Sequence, residues 1–225
     1  MLFRSAVVAA AGFLLARRGP IVLDEVFALA LAAHREVQPR GSGADIAAAT
    51  FGGALIVRMG GTGLSHTPVE LPRGLVLRAF ALPRAARTSD ALDRLASREG
   101  VVAVERAMGQ LIEAAHAGAG AVRAGDLQGF LDATTHHVDG LAALGDALDL
   151  PLVPPEIVRA RDVLRNGAPD PVVLLPSGAG GGDTVLLLSA RAPTDHEENT
   201  LQNLGLHPYP LGLATCGVHV VPFEG

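Results

Sequence analysis

Apolar positions along this chain recur with helical spacing over most of its length, and with strand-like runs in two places. Ala6–Arg18 reads as an apolar helix ending at Gly19-Pro20. Asp24–Val37 reads as a second helix, with Asp24 as its cap and Val26, Leu29, Ala30 and Ala33 on one face. After the loop Gln38–Gly43, a short helix is predicted from about Gly43 to Phe51, stopped by Gly52-Gly53. Two strands follow, Ala54–Met59 and Gly74–Leu82, read as a pair joined through a glycine-rich turn region that contains proline. The middle returns to helical spacing. Thr88–Ala96 is short, and Glu99–His116 is longer, with Val101, Val104, Met108, Leu111 and Ala115 in register. Gly118–Gly125 reads as a flexible connector. Asp126–Leu148 carries the clearest stripe, through Leu127, Phe130, Leu131, Thr134, Val138, Leu141 and Leu148. Pro154–Arg165 opens on prolines, as first helical turns do.

The last part changes period. Pro171–Leu175 and Thr184–Ser189 are short apolar, β-branched runs flanking Pro176–Asp183. Thr194–Leu204 predicts a helix with Leu201 and Leu204 facing in, and Gly217–Val221 a closing strand. Strand, loop, strand, helix, strand implies an α+β fold with helices on one face of a sheet.

Composition changes this picture little. Of 225 residues, 49% are apolar, enough for a sizeable core, but with no Trp, one Tyr and seven Phe that core rests on Leu, Val, Ile and Ala. All 18 basic residues are Arg, the net charge is −5, and no basic face clusters, which argues against nucleic acid as the partner. Cys216 is the single cysteine, so no internal disulfide forms; it reads as a small buried hydrophobe in a reducing, cytoplasmic setting. Ala6–Ala16 is shorter than the ~20 apolar residues a membrane span needs, and Arg17-Arg18 with no small-residue cleavage site argues against a secretory signal.

Two segments carry candidate chemistry. Pro176-Ser177-Gly178-Ala179-Gly180-Gly181-Gly182-Asp183 is half glycine. Such a loop turns through positive φ, and its successive N–H groups can form an anion-binding nest; a long hairpin connection explains the same composition. In Gly41-Ser42-Gly43-Ala44-Asp45, Ser42 and Asp45 have the spacing of a capping box. The same geometry suits phosphate, because a helix start offers free N–H groups and a positive dipole end. Either segment alone leaves both readings open.

Together they resemble the galactokinase–homoserine kinase–mevalonate kinase–phosphomevalonate kinase (GHMP) superfamily. GSGADIAAATFGG, Gly41–Gly53, is similar to the stretch that holds the family's catalytic aspartate, and Asp45 matches that residue. PSGAGGGD resembles the family's third motif, and its leading Pro-Ser and closing Asp183 point to the phosphomevalonate kinase branch. Arg87-Thr88-Ser89 and Leu150–Val158 are similar to supporting segments, so the resemblance runs from about Ala6 to the end. It implies a C-terminal kinase domain, residues 61–225, with helices on an antiparallel ferredoxin-like sheet, after an N-terminal-domain remnant, residues 1–60. It implies ATP and Mg²⁺ as cofactors, with no protein metal site. Asp45 would be catalytic. Ser177, Gly178, Ala179, Gly180, Gly181 and Gly182 would face the ATP phosphates. Ser42, Gly43, Thr88, Ser89 and His137 would lie on the substrate side. The acceptor would be phosphomevalonate, with mevalonate, another sugar or acid, or a non-catalytic role as alternatives; a homodimer stays open.

The departures from the family are equally definite. Its Pro-x-x-x-Gly-Leu-Gly-Ser-Ser phosphate loop does not occur here, and the basic partner of its aspartate, often Lys, has no counterpart in a chain without Lys. The helix Ala6–Arg18 resembles the one after that loop, placing Ser5 at the loop's last position. The chain is therefore expected to be an incomplete fragment, inactive alone and exposing apolar surface. His136-His137 read otherwise as ordinary helix residues, and Asp195-His196-Glu197-Glu198 as a solvated helix start. Arg58, Arg73, Arg78 and Arg84 are candidate phosphate contacts, with surface ion pairing as the plainer role.

Overall fold

The computed structural model describes residues 2–39, 41–60, 63–83, 88–167, 172–178, 180–181 and 184–219. Two compact units divide the chain: Met1–Glu70 with Gly212–Gly225, and Leu71–Leu211. The first break between the units falls after Glu70.

Unit 1 is built on three helices, α1 (Leu2–Ala16), α2 (Leu23–Val37) and α3 (Ala44–Phe51), and the hairpin β1 (Ala54–Gly60) with β2 (Gly63–Val69). Val8 and Ala11 of α1 meet Val26, Ala30 and Leu31 of α2 and Ile46 of α3 in a small core. Its inward face on α2 differs from the expected stripe. His34 is buried, while Ala33 is exposed and Leu29 is largely so. Asp24 lies inside the first turn and Val22 is the cap, without a side-chain hydrogen bond. On α1, Phe13 and Leu14 stay exposed, as the apolar run implied. β2 escaped prediction because Ser65, His66 and Pro68 break its apolar pattern; it pairs antiparallel with β1, Ala54 opposite Val69 through Gly60 opposite Gly63.

The C-terminal segment also belongs to unit 1. Gly53 donates to the Ala214 carbonyl (2.7 Å) and Val218 to that of Thr50 (3.2 Å). Gly52, with φ of 71°, passes so close to Cys216 and Gly217 that a Cβ would collide with their backbone. The expected strand at Gly217–Val221 is not formed over residues 217–219, whose backbone goes to this crossing instead, and residues 220–221 lie outside the described residues. Cys216 is exposed, not buried, because it rides on the outside of that crossing.

Unit 2 is a four-stranded antiparallel sheet in the order β4 (Val172–Pro176), β5 (Thr184–Ser189), β3 (Val76–Ala81), β6 (His207–Tyr209). The expected pairing of the two early strands is thus overturned: β1 and β3 belong to different sheets. Helices α4 (Thr88–Ser97), α5 (Val102–Ala124), α6 (Leu127–Leu148), α7 (Pro155–Gly167) and α8 (Asp195–Asn203) complete the unit. α6 packs α5 on one side and β4 on the other, and α7 also packs β4. The predicted α6 stripe is the core: Leu131, Val138 and Leu148 are almost fully buried, each worth roughly 2–3 kcal/mol of transfer free energy. Asp126 caps α6 by accepting from Gly129 N–H at 2.9 Å. The connector expected at Gly118–Gly125 is helix instead: α5 runs through Gly118 and Gly120 and ends only where Gly125 turns left-handed, φ 68°. Packing against α6 outweighs the glycines' weak propensity. Its buried residues are Val104, Ala107, Ala114 and Val122; Ala115 faces out and Val101 is the N-cap.

The segment Thr194–Leu204 does fold as predicted, and Asp195 and His196 at its start are exposed, but Glu197 is not solvated. Thr194 caps α8 in a capping box with Glu197, and Arg191 forks both Glu197 oxygens at 2.7 and 2.8 Å. Glu197 is buried. Arg191 first, then the Thr194 amide and hydroxyl, hold its carboxyl down to about 2, against the opposing effect of burial.

Candidate functional site

In unit 1 the aspartate motif forms the start of α3. The N-cap is Gly43, not Ser42: Gly43 is left-handed at φ 74°, and a Cβ there would lie 2.5 Å from Leu31 Cδ1. Gly41 is held as closely, since its Cβ would lie 2.6 Å from His34 Nε2. Both glycines therefore let the loop lie flat on α2. Ser42 is exposed and accepts instead from Ala44 N–H at 3.3 Å, so the capping-box geometry is not the one adopted. Asp45 follows in the first turn, half-buried, with Oδ2 shielded from solvent. A carboxylate so placed is fixed in direction by α3 and sits at its positive dipole end. Nearby in the unit, His66 of β2 stacks on Phe51 of α3 with centroids 3.8 Å apart, and Phe27 of α2 lies against both.

In unit 2 the glycine-rich segment links β4 and β5, and Ser177 N–H donates to Thr184 O at 2.9 Å. Gly178, Gly180 and Gly181 all have positive φ (72°, 86° and 65°), which side chains adopt at a cost. Nothing lies within 4 Å of where a Gly178 Cβ would be, so backbone there is open to close approach. Gly181 N–H, by contrast, donates to the Leu152 carbonyl at 2.6 Å. Ala179, Gly182 and Asp183 lie outside the described residues, as do the side chains of Thr88 and Ser89 at the start of α4.

His137 is half-buried on α6, one turn before Leu141, whose Cδ2 a Gly180 Cβ would meet at 3.2 Å. Burial pushes the imidazole's pKa down, so at neutral pH it offers a hydrogen bond and not a charge. Arg58, Arg73 and Arg78 are exposed, and Arg84 lies outside the described residues. Among the described residues no group of three or more His, Cys, Asp or Glu could hold a metal, and no helix is long and apolar enough to cross a membrane. Sequence reasoning passed over the Leu152 carbonyl. Its signal was indirect: Gly145, a glycine inside the clearest helix, six residues before the Pro-Leu-Val-Pro-Pro run.

Folds like this one recur in known structures. The phosphomevalonate kinase of Streptococcus pneumoniae, solved with phosphomevalonate and AMPPNP, matches with a TM-score of 0.69 at 16% identity, covering 87% of this chain and 63% of that one. The L. major mevalonate kinase, solved with R-mevalonate, matches with a TM-score of 0.60 at 19% identity, over 82% of this chain and 54% of that one. The fold is therefore the one these two kinases share. The sequence is similar to the phosphomevalonate kinase of Streptomyces sp. (strain CL190), 29% identical over 223 residues, covering 87% of this chain. The chain spans 58% of that relative's length. No family model matches the chain.

Proposed function

We propose that this chain is part of an ATP-dependent phosphotransferase whose acceptor is phosphomevalonate. The observation that carries the reading is the pair of motifs in their folded settings: a carboxylate at the first turn of α3 and a strand-to-strand loop whose Gly178 backbone is open to close approach. Residues 1–60 would belong to the nucleotide and substrate domain and 61–225 to the C-terminal kinase domain, in a cytoplasmic enzyme.

Phosphoryl transfer asks mainly for positioning and charge stabilisation. The bond from the γ-phosphorus to the bridging oxygen breaks, a bond to the acceptor oxygen forms, and ADP leaves. A phosphate monoester has its second pKa near ~6, so at neutral pH its attacking oxygen is already largely deprotonated. With that acceptor, Asp45 chiefly orients the nucleophile and takes a proton only from the monoanion. With an alcohol such as mevalonate it must act as general base. Ser177, Gly178 and Gly180 would face the nucleotide phosphates; Ser42, Gly43, Thr88, Ser89 and His137 the acceptor. Mg²⁺ binds through one or two carboxylates and the substrate's own phosphates, so it needs no protein cage; when bound it would neutralise phosphate charge.

The test is an ADP-release assay on the complete gene product with phosphomevalonate and mevalonate in parallel. Turnover with phosphomevalonate and little with mevalonate is expected. The reverse preference would reassign the acceptor, and no turnover with either would remove the kinase reading.

A further inference from the structure

The glycine-rich loop is held in place by a turn that none of the chemistry above names. α6 ends at Leu148, and Asp149 reverses the chain in the left-handed region, φ 55°. Leu150 N–H then donates to Gly145 O at 2.9 Å, and Leu152 N–H to Leu150 O at 2.8 Å. This folds Leu150–Leu152 flat on the last turns of α6. The fit depends on Gly145, where a Cβ would lie 2.6 Å from Leu150 O and 3.2 Å from Leu152 N. It aims the Leu152 carbonyl at the glycine loop, where it accepts from Gly181. A Cβ at Gly180 would lie 2.5 Å from that same oxygen. Two glycines on either side thus admit the turn between α6 and the loop. Leu152, Val153 and Pro154 are all buried, so the turn is itself fixed.

We propose that the Leu150–Val153 turn is the positioning element of the glycine-rich loop, acting through the Leu152 carbonyl and resting on the reading of that loop as phosphate-facing. A glycine-rich segment left to itself loses more conformational freedom on ordering than any other. If a nucleotide had to order it, that cost would come out of the binding free energy. The Gly181 hydrogen bond orders the loop beforehand. It spends the Gly181 amide on the protein and leaves the Gly178 backbone, with nothing within 4 Å of its Cβ position, open to approach.

Gly145→Ala should push the turn off α6 and release Gly181. Pro151→Gly should loosen the same turn without a clash, since Pro151 is exposed. In the 225-residue chain, amide exchange at Gly181 should be at least roughly a hundredfold slower than in an unstructured peptide, and should accelerate in both variants. In the complete gene product, both should raise the KM for ATP about tenfold while kcat and the acceptor KM hold. Gly118→Ala, whose Cβ would make only ordinary contact at 3.6 Å with Ala133, is the control and should change neither. Gly181 exchanging as an unprotected amide in the unsubstituted chain, or an unchanged KM for ATP in both variants, overturns the proposal. Failure of the kinase reading would show differently, as no phosphoryl transfer in the unsubstituted protein with Gly181 still protected.

Discussion

Glu197 is buried with Arg191 forked on both its oxygens, and its carboxyl is held down to about 2 from the ordinary 4.5. A depressed carboxyl pKa adds stability that is complete above the unfolded value and lost as pH falls through the folded one. The stability of unit 2 should therefore decline between about pH 4.5 and pH 2. Glu197→Gln should flatten that decline, and Arg191→Ala, which strands a buried carboxylate, should cost about 3 kcal/mol at neutral pH. Urea melts across that pH range check both. His137 acts in the same direction but at higher pH: burial lowers its pKa, so the unfolded chain takes up the proton first and stability weakens as pH falls below the ordinary histidine value. At Gly43, φ of 74° and the nearness of Leu31 act together. Gly43→Ala should destabilise unit 1 by about 2 kcal/mol or more, whereas Gly53→Ala, with positive φ but open space at its Cβ, should cost about 1. Thermal melts of the two variants separate contact from conformation.

At the scale of elements, what was legible and what was not divides along physical lines. The α6 stripe, the β5 run and the glycine stop at Gly52 were readable because each is a local pattern enforced by burial or by φ. The length of α5 was not, because Gly118 and Gly120 signal a break that packing on α6 overrides. β2 was not, because a two-stranded hairpin needs no buried face and Ser65, His66 and Pro68 show none. At the candidate site, Asp45 and the glycine loop were legible as residue types at helix and strand ends. The Leu152 carbonyl was not, since a backbone oxygen has no letter in the sequence. Glu197 was misread for a related reason: its burial depends on Arg191, six residues upstream and outside α8.

At the scale of the whole molecule, the chain leaves unit 1 at Glu70 and re-enters it at Gly212. Residues 212–219 supply backbone partners to Thr50 and Gly53, at the C-terminal end of the helix that carries Asp45 in its first turn. Ending the chain at Leu211 should thus speed amide exchange at Gly53 and lower the melting temperature of unit 1, with the β3–β5 ladder of unit 2 still protected. The account as a whole turns on Asp45. Its most direct measurement is ADP release by the complete gene product with phosphomevalonate, compared with the Asp45→Ala variant at matched folded concentration. The account predicts a kcat lower by about 10² or more with the melting temperature close to the parent's; unchanged turnover would remove Asp45 from the mechanism and contradict it.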